Sequence, residues 1–286
     1  TAAQAHITLV YAGGTSAESV LCGSTGTQAV STTATEYITL NGKEPADATE
    51  FYTQTVMPLA GTIKKLFVEL SRSPANGGGT QTYTFVVRKE LVDTTLTCAI
   101  SETGKTCSDA SNTFTVAAGE TISVSVTPSG APRTVRPRIG VIVLADTAGE
   151  FVISASTSDA MSNSATEYAQ LTGVEFGGAI LWQATETNAD VLGQVMDIKR
   201  IYVEFGTAPG GTDSVVLTLR QNAAAGNNTC TVSGSGTTCN GAATDTIAND
   251  DLLDTESAPV SAPAVGSNLV SYAAQVPRLV ELRPDV

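Results

Sequence analysis

The side chains in this sequence best equipped for chemistry are its five cysteines, and four of them form two identically spaced pairs. Cys98 precedes Cys107 by nine residues and Cys230 precedes Cys239 by nine, with a polar, glycine-bearing stretch inside each pair. That spacing predicts two local disulfides, each stabilising by roughly 2–3 kcal/mol, and therefore an oxidising compartment. A zinc centre is the competing chemistry, but two thiolates with no nearby histidine or third cysteine cannot complete a tetrahedral shell. No metal and no cofactor is expected. Cys22 is left over. Aligned with Ile153 by the repeat described below, it is expected to be a small buried hydrophobe, with an intermolecular bond as the alternative.

Catalysis finds little to work with. A hydrolase triad needs a base beside its nucleophile, and the single histidine, His6, precedes the repeated part of the chain. No Gly-x-Ser-x-Gly elbow, P-loop or dinucleotide fingerprint occurs. Two carboxylates could serve a glycosidase, but Glu36/Glu167, Glu44/Glu175 and Glu69/Glu204 all occur twice, in the repeat's framework. They are expected to be structural, paired with Lys64/Lys199 or Arg88/Arg220. Asp245, Asp250, Asp251 and Asp254 offer the oxygen ligands calcium takes, yet not at EF-hand spacing, and are read as a solvated acidic loop. Arg133, Arg136 and Arg138, interleaved with prolines, either protect an exposed edge or meet an acidic patch on another subunit. Asn227-Asn228-Thr229 is a glycosylation sequon, placed on a loop. No catalytic residue is assigned, and the chain is expected not to be an enzyme.

The elements that must carry these residues come in two copies. Ala34-Thr35-Glu36-Tyr37 recurs as Ala165-Thr166-Glu167-Tyr168 at an offset of 131; Ile63 to Leu70 recurs as Ile198 to Phe205 at 135; Arg88, Cys98 and Cys107 match Arg220, Cys230 and Cys239 at 132. Three ordered blocks at nearly one offset establish an internal repeat. Within each unit, period-two runs such as Thr121 to Val126 alternate with turn clusters such as Pro74 to Gly79 and Pro209 to Thr212. Short strands separated by such turns predict an all-β fold, two tandem β-sandwiches. Room for about eight strands per unit favours a jelly roll. The boundaries fall at 1–19 for an N-terminal extension, 20–146 for the first repeat and 151–286 for the second.

Charged residues are only 15% of the chain, the missing polarity coming from Thr, Ser, Asn and Gln, which suits strands more than helices. The net charge of −13 sets the chain against nucleic acid phosphates and anionic membrane surfaces. No apolar run approaches a bilayer span, and Thr1 to Ala5 reads as an end left by signal cleavage. A secreted protein is expected.

The extension has no counterpart before the second copy. Ile7, Leu9 and Tyr11 fall on one face of an alternating stretch, followed by a Gly/Ser tether. Such a strand can fold back on its own domain or pair with a neighbour by donor-strand augmentation, and repeated head-to-tail donation builds a filament. Leu279 to Leu282 offers a second short strand. This layout resembles subunits of extracellular bacterial filaments and pili, and the segment from Ile63 to Val126 resembles jelly-roll modules of bacterial surface and phage virion proteins. The resemblance implies a non-enzymatic structural subunit that self-assembles as a homopolymer, with glycans left open as partners. A phage decoration or fibre protein and a secreted carbohydrate-binding protein are the alternatives.

Overall fold

The computed structural model describes residues 18–43, 45–78, 80–157, 160–174 and 182–275. These residues form β-sheets with two short 3-10 turns, Glu50–Thr53 and Glu186–Asn188, and no α-helix. The first half contains β1 (Glu18–Ser24), β2 (Glu36–Ile38), β3 (Asn41–Lys43), β4 (Thr55–Val56), β5 (Gly61–Leu70), β6 (Thr82–Lys89), β7 (Val92–Ser101), β8 (Thr106–Val116), β9 (Thr121–Ser129) and β10 (Pro137–Ala145). One sheet runs β3-β1-β10-β5-β8 and the other β2-β9-β6-β7, with β4 beside β9. Leaving aside the short β3 and β4, the eight strands interleave as two Greek keys, the connectivity of a jelly roll.

The second half repeats the pattern with β11 (Glu150–Thr157), β12 (Glu167–Ala169), β13 (Gly173–Val174), β14 (Val191–Leu192), β15 (Met196–Phe205), β16 (Ser214–Gln221), β17 (Ala224–Ser233), β18 (Thr238–Gly241), β19 (Asp245–Ile247), β20 (Leu252–Val260) and β21 (Asn268–Gln275). Its sheets run β13-β11-β21-β15-β18 and β12-β20-β16-β17. β1 begins at Glu18, so Glu18 and Ser19, read from sequence as the end of the extension, pair with Leu144 and Val143 of β10.

Each core follows from strand alternation. On β5, Ile63, Leu66, Val68 and Leu70 point between the sheets and are buried, while Phe67 and Glu69 face outward. On β6, Tyr83, Phe85 and Val87 do the same. Burying side chains of this size is worth roughly 1.5–3 kcal/mol each. The left-handed Lys65 (φ 58°) marks a bulge that bends β5 against β10. Gly23 is required where the segment between β2 and β3 crosses close over β1: a Cβ there would stand 1.7 Å from the Thr39 carbonyl oxygen.

Both predicted disulfides are present, Cys98–Cys107 and Cys230–Cys239. Cys98 lies on β7 and Cys107 on β8, strands of different sheets, so the bond staples the two layers at one edge; Cys230 on β17 and Cys239 on β18 do so in the second copy. A carboxylate reinforces each staple. Asp109 accepts the amide N–H groups of Ser111, Asn112 and, across the edge, Thr97. The hydrogen bonds from Asn112, side chain and backbone, then those from Thr97 and Ser111, outweigh burial and hold its pKa down to about 2. In the second copy Asp245 accepts from the side chains and amides of Asn227 and Asn228. Replacing Cys98 and Cys107 together by serine is expected to cost about 2 kcal/mol in urea unfolding. A change below a few tenths would show that Asp109 closes the edge unaided.

Candidate interaction surface

The chemistry-bearing residues are first of all structural. Arg88 Nε donates to Glu50 Oε1 at 2.8 Å, Ser123 Oγ donates to the same oxygen at 2.7 Å, and the guanidinium also meets Asp93. Burial works against the Arg88 charge, but the hydrogen bond and charge of Glu50, with Asp93, outweigh it and raise the pKa. The guanidinium lies 5.5 Å over the Tyr37 ring. The second copy repeats this with Arg220, Glu186 and Tyr168. Glu36 and Glu167 accept the amides of Ser31 and Ser162, and Lys64 pairs with Glu18. The expected pairing of the framework carboxylates with Lys64 or the Arg88/Arg220 pair is therefore corrected. Those cations take Glu18, Glu50 and Glu186, and Glu69 takes Arg138 instead. Glu50 and Glu186 escape the sequence match because they stand in the stretch that carries the insertion, where their offset of 136 equals neither the 131 before it nor the 135 after it.

The aspartates near 250 do not form one solvated loop. Asp250 and Asp251 stand in the turn before β20, where Asp251 accepts from Gln221, Asn222 and the Ala248 amide. Asp245 is buried at the β17 edge, and Asp254 is fully buried on β20, opposite Arg220. Asp254 takes the place of Ser123, which stands opposite Arg88 in the first copy. Burial, then the charges of Glu186 and Asp190, push its carboxyl up to about 8 against the pull of Arg220. Neither Asp254 oxygen has a hydrogen-bond partner among the described residues, an environment that favours the neutral acid over the carboxylate.

The sequon lies on strand β17, not on a loop, and the Asn227 side-chain amide donates to Asp245 Oδ1 at 2.9 Å and to the Thr244 carbonyl. A glycan there would have to break this contact. Arg138 reaches Glu69, and Arg136 Nε donates to the Thr27 carbonyl.

A surface emerges when the two copies are superposed through their registers. Val20, Cys22, Gly140, Ile142 and Phe67 lie on the outer face of sheet β3-β1-β10-β5-β8. Their equivalents on the other copy are Val152, Ser154, Ser271, Ala273 and Tyr202. In the second copy this face is covered: Ser154, Ser271, Ala273 and Leu269 are all buried although they point outward. In the first copy Phe67 is 52% exposed and Val20 40% exposed. Cys22 is exposed too, which corrects the buried reading. The register pairs it with Ser154 and not with Ile153, and a slip of one residue moves a strand side chain to the opposite face.

No family model and no curated relative matches this chain. Among solved structures it is similar to one of the infectious bursal disease virus Gx strain, at 11% identity and a TM-score of 0.23, over 91% of this chain and 71% of that one. A likeness of that level assigns the chain no role.

What covers the second face is the first sandwich. Its β4 lies across β11, β15 and β21, its 3-10 turn lies against β11, and its β8–β9 turn meets β15. Ala273 joins the first hydrophobic core and Val152 packs against it. Asn41 Nδ2 donates to Ser156 Oγ at 3.2 Å. Gly119 closes on the Tyr202 ring, and Phe51 on Gly206. Burial, and then the charge of Glu90 from the first sandwich, raise the Glu204 pKa. Beside this contact a cleft of about 370 Å³ is lined by Phe51, Tyr52, Thr207 and Ser267 among others, and none of the described lining residues carries a carboxylate, amine or imidazole.

The disulfides indicate an oxidising environment. Among the described residues no helix is long and apolar enough to cross a membrane. Ile7, Leu9 and Tyr11 of the candidate donor strand, His6, Glu44, Glu175 and the strand at Leu279 to Leu282 lie outside the described residues.

Proposed function

We propose that this chain is a non-enzymatic structural subunit that self-assembles into an extracellular filament, with the segment at Ile7 to Tyr11 as a linking strand. The observation that supports self-assembly is the exposed apolar face of the first sandwich, with Phe67 at its centre and no cover among the described residues, on a fold stapled for an oxidising compartment. An exposed aliphatic and aromatic patch on a jelly roll supports a contact with a partner. The repeated charges support a structural reading, because Arg88, Arg220, Glu36, Glu167, Asp109 and Asp245 are each engaged in holding strands or turns.

The test is sedimentation and negative-stain microscopy of the full chain beside one lacking residues 1–14. Polymers from the full chain and folded monomers from the truncated one are expected. Polymers from both would remove the linking strand from the mechanism. Monomers from both would end the self-assembly reading.

A further inference from the structure

We infer that the outer face of the first sandwich receives the second sandwich of another copy of this chain, so that the contact inside one chain is repeated between chains. This rests on the self-assembly proposed above and names its contact.

The inside contact has two halves, and each half occurs twice. The receiving half is a sheet face: Val152, Ser154, Ser271, Ala273 and Tyr202 in the second sandwich, and Val20, Cys22, Gly140, Ile142 and Phe67 in the first. The inserting half is one end of a sandwich. In the first it comprises the turn Glu50–Thr53, β4, and the turns at Glu90-Leu91 and Gly119. In the second it comprises the turn Glu186–Asn188, β14, and the turns at Asn222-Ala223 and Asp250. The matching turns share backbone conformation: Glu90 and Asn222 have φ of 50° and 52°, and Gly119 and Asp250 have φ of 94° and 68°. Within one chain, one receiving face meets one inserting end. The other face and the other end have no partner in the described chain, and Val195 and Leu252 near that end are exposed.

The charges favour joining the unused halves. Inside the chain Glu204 faces the like charge of Glu90. In the joined pair Glu69, the equivalent of Glu204, meets Asn222, the neutral equivalent of Glu90. Arg138 and Lys65 on the receiving face are exposed, and the inserting end carries Asp250 and Asp251. Opposite charges at the two halves direct a head-to-tail encounter. A heterologous contact of this kind propagates.

The inside contact of Gly119 on Tyr202 locates the test, because its equivalent between chains is Asp250 on Phe67. A chain carrying Cys22→Ser, Phe67→Cys and Asp250→Cys is treated with a short bismaleimide under assembling conditions. Asn249→Cys is run in parallel because residue 250 holds a left-handed conformation that cysteine resists. All these sites are exposed, circular dichroism confirms the fold, and because Phe67 and Asp250 belong to the contact itself, a further chain keeps both and pairs the native Cys22 on the same face with Asn249→Cys. The expected result is a ladder of cross-linked oligomers from the double-cysteine chain, with each single-cysteine chain cross-linked roughly tenfold less. Dimers from Phe67→Cys alone would mean that the faces pair with each other, and overturn the inference. No ladder from a protein that sediments as a polymer would overturn it while leaving self-assembly standing. Sedimentation of the unmodified chain as a monomer would overturn both.

Discussion

Replacing Arg88 by alanine is expected to destabilise the first sandwich by about 3–5 kcal/mol, the cost of stranding a buried carboxylate. Glu50 is only 8% exposed, and its Oε1 holds both the Arg88 Nε and the Ser123 hydroxyl. Without the guanidinium, the charge keeps one neutral donor and little water. The Tyr37 ring also loses the cation above it. The double change Arg88→Ala with Glu50→Gln is expected to recover much of the loss, because the amide needs no counter-charge. Denaturant unfolding followed by amide exchange in β6 and β9 measures both. A loss under about 1 kcal/mol, or no recovery in the double variant, would show that the pair is a bystander. Single-tryptophan fluorescence makes the comparison clean, since Trp182 is buried in the second sandwich and does not report on this site.

The second large effect has the opposite sign. Asp254→Asn is expected to stabilise the second sandwich by up to about 5 kcal/mol at pH 8 and hardly at all near pH 4. The folded carboxyl titrates near 8, whereas an unfolded aspartate titrates near 4. Between those values the folded chain holds a proton that the unfolded chain has released. Stability therefore falls as pH rises across that window and levels off above it. Glu186, Asp190, Arg220, Tyr168 and Tyr272 surround the group, and the asparagine amide keeps the shape of the carboxyl without a charge to lose. Urea unfolding followed by Trp182 fluorescence at several pH values is the measurement. The same gain at pH 4 and pH 8 would contradict a protonated Asp254.

Much of the scaffold was legible in the sequence. The repeat, the cysteine pairs and the period-two runs at Leu66 to Leu70 and Thr121 to Val126 are local patterns, and local patterns set strands. What escaped was long-range. The burial of Asp254 depends on β20 pairing with β16, so its neighbours in sequence gave it the look of a loop residue. Cys22 was misplaced because the blocks drift between offsets of 131 and 132, and in a strand one residue decides the face. The covered face did leave a trace. β21, Asn-Leu-Val-Ser-Tyr-Ala-Ala-Gln, carries no charge along its length, the signature of a strand buried on both sides. β10, its equivalent, carries Arg138 on the outward side.

The pairing of first and last strands has a mechanical consequence. β1 and β10 run antiparallel with Glu18 opposite Leu144, and β11 and β21 with Glu150 opposite Gln275. In each sandwich the chain therefore enters and leaves at the same end. Tension applied through the backbone would peel β1 from β10 one hydrogen bond at a time instead of shearing the whole ladder at once, and each such bond contributes only about 1 kcal/mol. The Cys98–Cys107 and Cys230–Cys239 staples sit away from those strands and would carry none of that load. A fibre made of this protein would thus be weak if strung together by its termini, and strong only if the pull crosses from one sandwich to the next through their faces.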